Sequence, residues 1–112
     1  MQVIVSGRRF EVTNPLRQVV EERVRRLERF EPRLTRAEVT LLDGKNRCEV
    51  EARVSVAREG LMHARAEATD FRTAVDRAVD KLGRQLRRLH ARRRSHRGVP
   101  KEARLPGEEP TS

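Results

Sequence analysis

From Ala37 to Ala68, apolar and polar residues trade places with a period of two, and this constrains the chain more than any other feature. Ala37, Val39 and Leu41 alternate with Glu38 and Thr40. Cys48, Val50, Ala52, Val54 and Val56 alternate with Glu49, Glu51, Arg53 and Ser55. Met62, Ala64, Ala66 and Ala68 alternate with His63, Arg65 and Glu67. A strand points successive side chains to opposite faces, so each run has one apolar and one polar face. Asp43-Gly44-Lys45-Asn46 and Arg58-Glu59-Gly60 supply turn chemistry between the runs. Three antiparallel strands with one wet face are expected, and their apolar face needs a cover.

Two helices are placed to provide it. Thr13 reads as an N-cap with Pro15 in the first turn. Leu16, Val19, Val20, Val24, Leu27 and Phe30 then recur at helical spacing up to Pro32. Asp70 reads as a second N-cap, followed by Phe71, Val75, Val79, Leu82, Leu86 and Leu89, with the pattern fading near Arg94. Gln2 to Ser6 reads as a first strand with Gly7 as its breaker. The expected fold is α+β, in the order β-α-β-β-β-α. It has a four-stranded mixed sheet with both helices on one face and a right-handed crossover joining a parallel first pair. Residues 1–94 form the domain. Residues 95–112, with Pro100, Pro106 and Pro110 and few apolar side chains, read as a flexible tail.

The chain of 112 residues carries a formal net charge of +9. Such a surplus speaks of polyanionic partners and not of fold. Residues 70–97 hold ten Lys or Arg against three Asp, so one segment carries most of it. There is no Trp or Tyr and only 3 Phe. Stacking platforms for splayed bases are therefore disfavoured, whereas phosphates and the shape of folded RNA suit the arginines. With one Cys, no intramolecular disulfide forms, which fits a reducing compartment. No apolar run is long enough to span a membrane, and Met1-Gln2-Val3-Ile4-Val5 lacks the features of a signal peptide. A cytoplasmic protein is expected.

On a wheel of roughly 100° per residue, Arg77, Lys81, Arg84, Arg88 and Arg92 share one flank of the second helix, within an arc of roughly 100°. Asp76, Asp80 and Arg87 fall on the other flank. Lys81, Arg84 and Arg72 are in reach of the two aspartates and are expected to pair with them. On the first helix, Arg25 and Arg29 are read as solvated beside Glu21 and Glu28. Arg23 falls inside the apolar arc, where it either snorkels along the core edge or projects into the groove between the helices. Arg8 and Arg9 either touch phosphate or are simply exposed. His63, His90 and His96 show no ligand spacing with Cys48, which is expected to be a buried thiol. No phosphate-binding loop and no nucleophile–base arrangement is visible. No enzyme activity, cofactor, metal, membrane or small-molecule substrate is expected.

The blocks Met1-Gln2-Val3-Ile4-Val5-Ser6-Gly7, Arg26-Leu27-Glu28-Arg29-Phe30, Asp70-Phe71-Arg72-Thr73-Ala74-Val75-Asp76 and Asp80-Lys81-Leu82-Gly83-Arg84-Gln85-Leu86 resemble the bacterial ribosome hibernation-promoting factors and protein Y. The resemblance covers about residues 1–93. It implies a fold similar to double-stranded RNA-binding domains. It also implies binding to the small ribosomal subunit and its 16S rRNA, over the sites of messenger RNA and of the A- and P-site transfer RNAs, so that translation stops and idle ribosomes are preserved. The family's basic positions fall on Arg23, Arg26, Lys81, Arg84 and Arg88. The chain resembles the short form, without the C-terminal domain that pairs ribosomes, and a monomer off the ribosome is expected. Its tail is mildly acidic (Glu102, Glu108, Glu109), so promoting and blocking ribosome pairing both stay open. A general double-stranded RNA-binding module or a ribosome-assembly factor is the alternative reading.

Overall fold

The Thr13 hydroxyl accepts the Leu16 N–H at 3.3 Å, and the Asp70 carboxylate accepts the Thr73 N–H at 2.8 Å, so both helices start where their caps stand. In a computed structural model that describes residues 1–98, with side chains through Arg92, the elements follow the expected order. They are β1 (Gln2–Arg8), α1 (Asn14–Arg25), β2 (Leu34–Gly44), β3 (Arg47–Val56), β4 (Gly60–Ala68) and α2 (Phe71–Gly98). The sheet order is β1-β2-β3-β4, parallel between β1 and β2 and antiparallel elsewhere. Residues 95–98, expected in the tail, belong to α2, and the rest of that tail lies outside the described residues.

Alternation places the core as expected. Val39, Leu41, Val50, Ala52, Val54, Ala64 and Ala66 face the helices, where Val20, Val24, Leu27, Val75, Leu82 and Leu86 close over them. Glu38, Thr40, Glu51, Arg53, His63 and Arg65 stand on the other side in cross-strand rows, with Glu38 opposite Arg53 and Glu51 opposite Arg65. Glu51 takes Arg53 and Arg65, each at 2.9 Å. Burial alone raises its pKa, but the two guanidinium groups outweigh that and hold the carboxyl below the ordinary glutamate range. No helix among the described residues is long and apolar enough to cross a membrane.

Three local readings change. Gly7 does not break β1, which continues to Arg8. A Cβ on Gly7 would lie 2.6 Å from the Phe10 carbonyl oxygen, so the glycine admits the returning chain. The turn itself falls on Arg9, at φ 69. The first helix does not stay α-helical to Phe30, because residues Arg26–Arg29 tighten into a 3-10 turn before Pro32. Cys48 has the inward parity, but it sits at the sheet's end and is only partly buried, its thiol 3.8 Å from the Thr69 carbonyl. Burial, then Asp43 and Asp70, push that thiol upward from its ordinary pKa.

Both edges of the sheet are covered by side chains reaching down from the helices. On β4, the Arg77 guanidinium donates to the Glu67 carbonyl at 2.7 Å, Lys81 Nζ to that of Arg65 at 2.7 Å, and the Gln85 amide to that of His63 at 3.1 Å. Four helical residues rise about 6 Å and two strand residues about 6.6 Å, so donors at i, i+4 and i+8 match alternate carbonyls of an antiparallel strand. On the β1 side, Arg17 donates to the Val5 carbonyl at 2.7 Å and Arg25 to that of Met1, just before the strand, at 3.1 Å.

Candidate nucleic-acid interface

The apolar stripe of α2 faces the sheet, which leaves two flanks outside: one above β4 and one facing α1. The predicted basic stripe occupies the flank above β4 and is not uniform. Arg77 and Lys81, near the helix start, are exposed but tethered to the β4 edge. Arg84 makes only a long 3.4 Å contact to the Asp80 carbonyl of its own helix. Arg88 and Arg92 are exposed and have no ion pair among the described residues. The half of the stripe from Arg84 onward therefore presents free guanidinium groups, each able to meet a phosphate through two parallel hydrogen bonds.

Arg23 does not join this stripe. It lies across α2 from it, in a groove of about 480 Å³ between the two helices. Its Nε pairs with Asp76 at 2.5 Å, and its side chain is 24% exposed. Of the two expected alternatives, the interhelical groove is the one realised. Arg26 lines the same groove, exposed and loosely paired with Glu22 at 3.8 Å.

The aspartates pair differently from the expectation. Asp76 takes Arg23 from α1, not Lys81, Arg84 or Arg72, because its flank faces the other helix. Asp80 has no ion pair among the described residues and stands exposed near the crest of α2. Glu28 is taken by Arg25 at 4.0 Å, which leaves Arg29 without an ion pair among the described residues. Arg29 and Arg87, which sequence reasoning passed over, both line the interhelical groove. Arg87 rests over the Phe30 ring at 5.4 Å. No single helical wheel could have found them, because Arg29 and Arg87 lie on different elements and meet only in the packed structure.

At the far end of α1, Glu31 is fully buried, and its carboxylate accepts the Arg33 N–H at 3.0 Å. His90 Nε2 of α2 approaches the same oxygen at 3.8 Å, beside the segment that leads into β2. Among the described residues no group of His, Cys, Asp and Glu could hold a metal ion. A hollow of about 360 Å³ on the open face of the sheet is lined by residues of both signs, including Arg8, Glu49 and Arg65. Arg8 thus lies on the open face, at the end of β1.

Residues 3–94 match the profile of the sigma 54 modulation protein / S30EA ribosomal protein family. The chain is 37% identical over 110 residues to a ribosome hibernation promotion factor of Deinococcus radiodurans, covering 92% of this chain but 56% of that relative. It is 41% identical over 86 residues to a ribosome hibernation promoting factor of Azotobacter vinelandii, covering 77% of this chain and 79% of the relative. Among solved structures, the N-terminal domain of Thermus thermophilus protein Y superposes with a TM-score of 0.72 at 32% identity, covering 80% of this chain and 99% of that one.

Proposed function

Because the chain belongs to the sigma 54 modulation protein / S30EA ribosomal protein family, we propose that it binds the small ribosomal subunit in the cytoplasm, with α2 against 16S rRNA. There it occupies the decoding region, over the sites of messenger RNA and of the A- and P-site transfer RNAs. Translation stops, and the idle ribosome is held in a resting state.

The observation that carries this reading is the run Arg84, Arg88 and Arg92, exposed on one flank of α2 and without ion pairs among the described residues. An exposed acid within reach normally neutralises such side chains. Here Asp76 is turned to the other flank and taken by Arg23, and Asp80 forms no ion pair with the run among the described residues. Relatives named for ribosome hibernation support the ribosome as the source of the polyanion. Arg23, Arg26, Arg77 and Lys81 add charge around the run. The proposed role is binding, not catalysis.

Sedimentation with purified small subunits tests this. The protein is expected to travel with the subunit at low salt and to be released as salt rises, since phosphate contacts exchange with counterions. Protein left at the top of the gradient at low salt refutes the reading. A plain RNA duplex added in excess is expected to compete poorly. Competition at equal phosphate concentration would instead identify a general double-stranded RNA-binding module.

A further inference from the structure

Resting on that reading, we infer that the groove between α1 and α2 is a second phosphate site, separate from the stripe above β4. RNA backbone then meets α2 along both flanks, through two segments and not one.

Four guanidinium groups converge on the groove, from Arg23, Arg26, Arg29 and Arg87. They come from two elements, α2 and the end of α1 with its 3-10 turn, so their convergence follows from the fold and not from one helical repeat. Two carboxylates, Asp76 and Asp80, also line it. Asp76 is engaged by Arg23 through Nε, which leaves the terminal nitrogens of that guanidinium as further donors. Arg29 has no ion pair among the described residues, and Arg26 holds Glu22 only at 3.8 Å. The groove therefore keeps a positive surplus with free donors. Gly83 is buried beneath it, and Phe30 gives the groove an apolar wall on which Arg87 lies at 5.4 Å. A guanidinium stacked on a ring keeps its in-plane N–H donors pointing outward, ready for a phosphate.

Asp80 explains why one backbone does not serve both sites. On the helical wheel it lies between Arg87 and Arg84, at the crest separating groove from stripe. An unpaired carboxylate there repels a phosphate laid across the crest. The two basic surfaces are thus held apart by a like charge, across a helix about 10–12 Å wide with its side chains. The occupants that fit are two phosphodiester segments of folded RNA, supplied either by two rRNA helices or by both strands of one duplex.

Three variants of the full chain test this on small subunits across a salt series: Arg26→Ala/Arg29→Ala/Arg87→Ala, Arg84→Ala/Arg88→Ala/Arg92→Ala, and their combination. The groove variant is expected to weaken binding about tenfold or more and to reduce the log–log salt slope by about 3, as the stripe variant does. The combined losses are expected to multiply. Since Arg87 also packs on Phe30, Arg29→Glu is included as a single change at a side chain with no ion pair among the described residues, and it is expected to weaken binding by itself. If the groove variants bind with unchanged affinity and slope while the stripe variant is weakened, the second site is wrong and the ribosome reading stands. If the unaltered protein ignores small subunits, both fall. Repeating the series with a plain RNA duplex assigns the source. Equal loss on the duplex means one duplex supplies both backbones, and loss confined to subunits means two rRNA helices do.

Discussion

Lys81 is asked to do two things, and they can be separated. It belongs to the basic stripe, yet its Nζ donates to the Arg65 carbonyl at 2.7 Å and helps fasten α2 to β4. Replacing it with Met keeps the length of the stem and removes both the charge and the bond. A hydrogen bond with a charged donor contributes about 1.5–3 kcal/mol. Lys81 is exposed, so water replaces part of that interaction and about 1 kcal/mol is the expected loss. In a domain of this size about 1 kcal/mol lowers Tm by roughly 4–8 °C. Arg84→Met is the control, because it removes the same charge from the same flank. Its 3.4 Å contact within the helix is beyond ordinary hydrogen-bond length. That variant is expected to stay within about 0.5 kcal/mol of the parent. Thermal unfolding followed by circular dichroism, at low and at high salt, measures both. If the two variants melt together, the β4 latch contributes nothing and Lys81 is a surface charge like its neighbours.

Leu82 is fully buried between helix and sheet, so Leu82→Ala is expected to cost about 2–5 kcal/mol in urea titration; a loss under 1 kcal/mol would mean the core collapses around the gap. Gly7→Ala sets a methyl group 2.6 Å from the Phe10 carbonyl oxygen and is expected to cost about 1–3 kcal/mol; an unchanged urea midpoint would show that the Arg9 turn yields freely. Acid should destabilise the domain through two carboxyl groups. Glu51 is held low by Arg53 and Arg65 against the effect of burial, and Asp70 by the Thr73 backbone N–H and then its hydroxyl. Both bind protons less readily folded than unfolded, so their stabilisation is complete above the unfolded values near pH 4 and is lost as pH falls through the lower folded ones. The urea midpoint should drop in that window, and Glu51→Gln with Asp70→Asn should flatten the drop; an identical pH slope in the double variant would remove these two groups from the account.

The elements were legible because their signals are local. Alternation from Ala37 to Ala68 places the strand faces, and the two caps place the helix starts. What escaped depends on neighbours distant in the chain. Asp76 finds its partner on α1, which a wheel of α2 cannot show. Gly7 reads as a breaker until the Phe10 carbonyl is seen lying against it. Cys48 has the parity of a core residue, but the sheet ends beside it. The stripe was legible as charge, yet its division into a tethered half and a free half depends on the β4 carbonyls. Arg29 and Arg87 became visible only once the helices were set side by side.

The covered edges of the sheet carry a further consequence. Strands of alternating Val and Ala are strong templates for one another, and an open edge invites a copy of the same chain to add itself. Here Arg17 and Arg25 on one side, with Arg77, Lys81 and Gln85 on the other, occupy carbonyls that an incoming strand would use. An intruder would have to displace charged side chains to gain its first bonds. Two of those guardians, Arg77 and Lys81, also belong to the basic stripe of α2. Substitutions that trade these cations for neutral residues would therefore erode resistance to fibre formation along with any affinity for RNA.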